Sequence, residues 1–280
     1  MALLPKIFLE SVVAIGTPGT NNIMAWIGTG FVYGYPTGNK DAEGNNLYRV
    51  YLVTNKHVID GQKDLWMRLN PEEGKPGQDV HLGIRSDSGE SMWHYHKDPS
   101  IDLAVTLLNL QFLRERKLQF GFVEDDNHVV DRQQLKDGGL TAGDPVYVLG
   151  FPLGRIGKDR LYAVCRGGIV ARCSEWIEGR GKEILVDATV FPGNSGGPVF
   201  AGFYFASVTG TKIRNKSEFI GVVQSYIPYT DVAISQQTRR PRITFEENSG
   251  LTSVIPADFL RDIIRDIETK YSTPPKVSSS

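Results

Sequence analysis

Apolar positions along the chain fall in short runs separated by polar residues and glycines: ESVVAIGT, GTGFVYGY, YRVYLVTN, DLAVTLL, DPVYVLGF, GGIVARC, EILVDATV, PVFAGFYFASV, FIGVVQSYI and PRITF. The runs are rich in Val, Ile, Tyr and Phe and bounded by Gly, Pro, Asn or Asp, which predicts strands. So many short strands in one chain predict an all-β barrel or sandwich and not alternating β/α units. One segment has helical spacing instead. In PADFLRDIIRDIETKY, residues 256–271, Pro256 opens the first turn and Phe259, Leu260, Ile263, Ile264 and Ile267 share a face, so a C-terminal helix packed on the barrel is expected. A weaker helical stretch at 110–118, followed by the polar EDDNH, predicts the crossover between an N-terminal half at about 8–115 and a C-terminal half at about 136–255. Segments 36–46 and 70–78 read as surface loops, and 271–280 as a disordered tail to a single domain spanning 1–270.

Composition narrows the function classes. With 280 residues, 40% hydrophobic and 22% charged, the chain can bury a full core. A formal charge of −1 offers no basic excess for nucleic acid, and no apolar stretch is long enough for a membrane span. The start, MALLPKIFLE, is interrupted by Pro5, Lys6 and Glu10, so a secretory signal is not expected and the default location is cytoplasmic. Two cysteines, Cys165 and Cys173, do not make a disulfide framework. A hairpin at Gly167 and Gly168 would bring them together; two reduced thiols in a strand pair is the simpler expectation.

The stretch FPGNSGGPVF carries the chemistry. A Walker-type phosphate loop would need Lys-Ser/Thr after the last glycine, where Pro198 and Val199 stand. Residues 193–197 instead satisfy G-x-S-x-G and make Ser195 a candidate nucleophile. Its hydroxyl needs a general base, usually histidine. His57, His81, His94, His96 and His128 all precede Ser195, which excludes the Ser-acid-His order of the α/β-hydrolases. The order His, Asp, Ser stays open. His57 follows the run VYLVTNK, and Asp102 stands between Ile101 and Leu103, where a buried carboxylate would need a partner such as an imidazole N–H. His94 and His96 form an H-x-H pair with no third ligand at metal spacing, so packing is expected there and neither metal nor cofactor is implied.

TNKHV around His57, SIDLAV around Asp102 and GNSGGP around Ser195 resemble the three catalytic blocks of the chymotrypsin/trypsin-like serine proteases, and more closely the HtrA-like branch. IGTGFVY, LTAGDPVYVLGFPLG, ILVDATVFPGNSGGP, FIGVVQS and GLTSVIP extend the resemblance in the family's order from about residue 11 to residue 264. It implies two six-stranded antiparallel barrels with the active site between them. His57 would be the base, Asp102 would orient it, and the N–H groups of Gly193 and Ser195 would form the oxyanion hole. The implied activity is that of a serine endopeptidase acting through an acyl-enzyme; an idle peptide-binding module or an esterase on the same fold are the alternatives. Partners would be a protein or peptide substrate and a regulatory protein.

Two departures from the family pattern matter. Asn194 replaces the aspartate that pairs with a new N-terminus in trypsin, and no I-V-G-G stands near the start, so activation by N-terminal trimming is not expected. No room for a PDZ domain is seen after Ile267, so control would come from a partner or from ordering of the loop 150–158. By analogy, segments 188–192 and 224–226 and a turn at 249–252 wall the specificity pocket, with Thr189 in place of trypsin's pocket aspartate and Gln224, Ser225 and Tyr226 lining it. Small or medium apolar residues are then preferred before the scissile bond, unless Glu246 or Glu247 folds inward to supply charge.

Overall fold

The computed structural model describes residues 4–71, 74–203, 212 and 214–272. Nine strands build the N-terminal half: β1 (Val12–Pro18), β2 (Met24–Lys40), β3 (Asn46–Thr54), β4 (Leu65–Pro71), β5 (Gln78–Leu82), β6 (His94–Tyr95), β7 (Ala104–Leu107), β8 (Leu118–Gln119) and β9 (Val123–Glu124). Their order is β5-β4-β1-β2-β3-β7-β6, with β8 on β4 and β9 on β2. Six strands build the C-terminal half: β10 (Pro145–Gly150), β11 (Val164–Arg172), β12 (Ile184–Asp187), β13 (Pro198–Ala201), β14 (Glu218–Ile234) and β15 (Pro241–Pro256). They close into a barrel in the order β10-β11-β12-β15-β14-β13.

The expectation of two six-stranded barrels therefore holds only for the C-terminal half. In the N-terminal sheet, the connection between β5 and β6 reads GIRSDSGESMW, whose polar centre has no alternating apolar face to seat a strand. Among the described residues the gap is spanned by a bridge between Arg85 and Ser91 and by Met92 N–H donating to Ile84 O at 3.0 Å. The segment 36–46 is not a loop either: β2 runs to Lys40 and β3 begins at Asn46, leaving a tight turn.

Alternation along the strands explains how the halves meet. Val13 and Ile15 of β1 enter the N-terminal core with Leu52, Leu65 and Met67, while Val12 and Ala14 face a second cluster with Phe31, Tyr33, Tyr51 and Val53. That second cluster also takes Leu149, Phe200, Phe219 and Val222 from the barrel, so it is the seam between the halves. Strands buried on both faces read as near-continuous apolar runs, as VVAI and VYLVT do. The barrel encloses its own core of Val146, Val148, Val170, Ile184, Val186, Val199 and Val223.

The C-terminal helix, Ala257–Ser272, inserts Leu260, Ile263, Ile264 and Ile267 into the seam. Polar ties fix its register. Arg261 Nε donates to Asp125 Oδ1 at 2.8 Å, and Glu268 accepts from Tyr51 Oη at 2.5 Å and from Arg49. Arg132–Gly138 forms a helix that the sequence reading passed over, although Asp131 and Gln134 make a capping box there. The tail from 273 and the end of the run PVFAGFYFASV lie outside the described residues.

Gly167 and Gly168 do not turn the chain. Both lie within β11, opposite Tyr147 and Val146, so Cys165 and Cys173 sit eight positions apart along extended chain, about 26 Å at strand rise. Both thiols are free, one exposed and one buried.

His128 packs edge-on to Phe8, with ring centroids 4.9 Å apart, and its Nδ1 accepts the Glu124 N–H at 3.0 Å. Burial lowers its pKa from the ordinary 6.5, and burial followed by nearby Lys270 lowers that of His94. Below pH 6.5 the unfolded chain takes up protons that the folded chain refuses until its own lower pKa is passed, so stability is lost as pH falls through that window. Melting temperature is expected to fall between neutral pH and about pH 5, and a His94→Asn/His128→Asn variant to show a shallower fall in thermal melts at the same pH values.

Candidate active site

β3 delivers His57. After Thr54 the chain turns into the short helix Lys56–Ile59, whose Val58 and Ile59 are buried and leave His57 on the exposed side. Asp102 stands between buried Ile101 and Leu103 just before β7, so its side chain is turned out of the core toward the imidazole. Oδ1 accepts the His57 backbone N–H at 2.9 Å, and Oδ2 lies 2.5 Å from the ring Nδ1. A carboxylate oxygen at that distance needs a proton on Nδ1, which leaves Nε2 with a free lone pair. Asn55 secures the same corner by donating Nδ2 to Asp102 O at 2.7 Å.

Ser195 comes from the barrel, on the loop between β12 and β13. Its carbonyl accepts the Thr29 N–H at 2.9 Å, which ties the loop to β2 across the seam. Gly196 has φ +85, and a Cβ there would lie 2.1 Å from Thr29 O, 2.4 Å from Thr54 Oγ1 and 3.1 Å from Asn55 N. The residue after Ser195 thus packs against Thr54 at the end of β3 and Asn55, three and two positions before His57. Among the described residues no hydrogen bond joins the Ser195 hydroxyl to the imidazole.

Gly193 has φ +99, and a Cβ there would lie 2.4 Å from Phe151 O, so glycine is required by both conformation and space. The Pro192 carbonyl accepts the Leu153 N–H at 2.7 Å. A trans peptide points its N–H opposite to its carbonyl, which turns the Gly193 N–H away from Leu153. Neither that N–H nor the Ser195 N–H donates to another described residue. Asn194 is fully buried; its Oδ1 accepts the Phe191 N–H at 3.1 Å. The neutral side chain therefore braces its own loop.

The loop after β10 braces the site from the far side. Its first part contacts Pro192 and Gly193 as described. Its end is pinned to the N-terminal sheet, where Asn70 Nδ2 donates to Leu161 O at 2.7 Å and Asn70 Oδ1 accepts the Leu161 N–H at 2.8 Å.

The three wall segments of the expected specificity pocket are neighbours. Ser225 pairs with Ser253 and Tyr226 with Thr252, while Thr252 Oγ1 donates to Ala188 O at 2.7 Å and Asn248 Nδ2 to Val190 O at 2.5 Å. Ala188 and Val190 are buried and Thr189 is exposed; Gln224 is half-buried. Residues 249–252 are strand and not a turn, because β14 and β15 continue as one long hairpin. Glu246 and Glu247 are both exposed on β15, and Glu246 Oε1 accepts from Tyr226 Oη at 2.6 Å, which raises the phenol's pKa.

His94 and His96 are not brought to a third ligand. His96 packs edge-on to Phe259, with its Nδ1 accepting the Asp98 N–H at 3.0 Å, and no metal-holding cluster occurs among the described residues. No helix of the described residues is long and apolar enough to cross a membrane.

The family model described as Trypsin-like peptidase domain matches residues 28–202, more than half of the chain. The chain belongs to the trypsin-like peptidase family. Membership supports a peptidase function. Among solved structures, this trypsin-like peptidase is similar to the protease domain of MamO from Magnetospirillum magneticum in its apo form, at 13% identity and TM-score 0.48 over 91% of this chain and 96% of that one. It is also similar to the HtrA-type protease AlgW with decapeptide (18% identity, TM-score 0.47, 94% and 66% covered). A third likeness is to the inactive form of Rv3671c from M. tuberculosis (15% identity, TM-score 0.44, 95% and 90% covered). No curated protein matches the chain.

Three residues of this peptidase domain that shape the site escaped the sequence reading: Thr29, Asn55 and Asn248. Thr29 is fully buried; its Oγ1 donates to Gly193 O at 2.6 Å and accepts the Phe151 N–H at 3.0 Å. A polar residue inside IGTGFVY was the available signal, since a buried hydroxyl there needs partners.

Proposed function

We propose that this chain is a serine endopeptidase in which Ser195 attacks the scissile carbonyl while His57 Nε2 takes its proton. Asp102 holds the imidazole in the required tautomer and stabilises the imidazolium. The backbone N–H groups of Gly193 and Ser195 receive the oxyanion, and His57 then protonates the leaving amine before water resolves the acyl-enzyme. The observation that carries this reading is the 2.5 Å contact between His57 Nδ1 and Asp102 Oδ2, which leaves Nε2 free to act as the base. Contacts between nucleophile and base are often loose without substrate, so the unmade bond from Ser195 does not weigh against it.

Substrate would lie extended along Gln224, Ser225 and Tyr226, adding a strand to the edge of β14. With Thr189 in the specificity pocket in place of a carboxylate, small or medium apolar side chains are expected before the scissile bond. Two free cysteines fit a reducing, cytoplasmic setting.

A fluorophosphonate probe should label the native protein and spare Ser195→Ala. Mapping of new N-termini in a digested proteome should then show apolar residues before the cut. Equal labelling of both proteins would remove Ser195 from its role, and no labelling of either would favour an idle binding module. A strong Lys or Arg preference would overturn the specificity assignment alone.

A further inference from the structure

Beyond the substrate strand, β14 and β15 continue as a two-stranded arm with Pro228 opposite Asn248, Thr230 opposite Glu246, Val232 opposite Thr244 and Ile234 opposite Pro241. Among the described residues no other strand pairs with this part of either strand. Alternation puts Tyr229, Asp231 and Ala233 of β14 on one face with Glu247, Phe245 and Ile243 of β15. Tyr229, Ile243 and Phe245 are 56%, 57% and 50% exposed, although an apolar face on a ribbon normally needs cover. Charge is segregated along the arm. Glu247 lies near the root and Asp231 midway along the arm, and Arg239, Arg240 and Arg242 surround the tip turn, where Ser235 N–H donates to Arg240 O at 3.0 Å. None of the three arginines has an ion-pair partner among the described residues.

We propose that this face is an isologous interface which pairs with the arm of a second copy of the chain, the two arms running antiparallel. A twofold axis near Ala233 would lay Ile243 of one arm against Ile243 of the other and carry Phe245 and Tyr229 toward the tip of the partner arm. It would also bring the arginine tip of each arm to Asp231 and Glu247 of its partner. The arm is thus complementary to itself in charge, which selects a second copy over an acidic polypeptide, because an acidic partner would meet the carboxylates of the arm unfavourably. A ribbon face about 20 Å long buries too little surface for a permanent dimer, so association is expected in the micromolar range.

Sedimentation velocity of the full chain across micromolar concentrations tests the idea. The native protein should pass from monomer to dimer with concentration, and added salt should weaken the dimer. R239E/R240E and D231K/E247K should each raise the dissociation constant about tenfold or more, and the four changes in one chain should restore it, since the charges are again complementary. These substitutions lie outside every core cluster, and an unchanged thermal melt of the monomer shows that folding is not the cause of any loss. A native protein that stays monomeric, a dimer indifferent to both reversals, or binding only to a polyglutamate peptide or to anionic vesicles would each overturn the proposal.

Discussion

Asp102→Asn is expected to lower kcat by about 10⁴ while leaving the fold in place. The amide side chain keeps an oxygen for the His57 backbone N–H, and the main-chain bond from Asn55 Nδ2 to residue 102 does not involve the altered atoms. The loss comes from the other side-chain atom. Where Oδ2 now accepts from Nδ1 at 2.5 Å, an amide NH₂ would donate, so Nδ1 must become the acceptor and the ring proton moves to Nε2. A protonated Nε2 cannot take the Ser195 proton, and the imidazolium loses its countercharge. KM should change little, because residues 224–226, the strand proposed to bind the peptide, are untouched. Adding Ser195→Ala to Asp102→Asn should lower the rate little beyond Ser195→Ala alone, since residues acting as one unit are not additive. Single-turnover kinetics on a peptide found by N-terminus mapping, alongside a thermal melt, checks all three statements. A loss of less than tenfold would mean that Asp102 only supports the backbone of the His57 helix.

Parts of this architecture were legible before any coordinates because single residues announce them. FPGNSGGPVF demands a tight, glycine-lined turn whatever lies around it, and both Gly193 and Gly196 adopt positive φ. The spacing of Leu260, Ile263, Ile264 and Ile267 admits one helical face, and the helix buries it. What escaped the sequence depends on partners distant in the chain. Whether β5 and β6 meet is decided by a polar connection whose conformation no periodicity encodes. The length of the arm was hidden for a related reason: proline and glycine, here Pro228 and Gly250, ordinarily interrupt strands, and a turn was expected at 249–252, yet β14 and β15 continue past them with a register shift at Tyr226/Pro228. Thr29 looks like one more strand threonine until Gly193, 164 positions away, supplies its acceptor.

Thr29→Val separates the role of that hydroxyl from the packing around it. Valine keeps the shape and the backbone bonds, including the Thr29 N–H to Ser195 O and Thr54 Oγ1 to Thr29 O at 2.8 Å. It removes the one atom that both donates to Gly193 O and accepts from Phe151 N–H. Each buried group left unsatisfied costs about 1–3 kcal/mol, so the melting temperature should fall by several degrees. Stability is the smaller consequence. Gly193 O and the Pro192 carbonyl, held by Thr29 and Leu153 respectively, fix the peptide planes on either side of Gly193, and with them the direction of its N–H. Releasing one plane lets that N–H leave the oxyanion position, and loss of one such donor costs about 10²–10³ in kcat. Thr29→Ser keeps the hydroxyl and should retain near-native kcat despite a lost methyl group, whereas a purely structural role would make the two variants equally impaired. KM should separate from kcat in the same way, staying near native in Thr29→Val because the strand proposed to bind substrate lies on β14. If both variants melt lower but turn over at the native rate, Thr29 is a packing residue and the Gly193 N–H is aimed by the Leu153 bond alone.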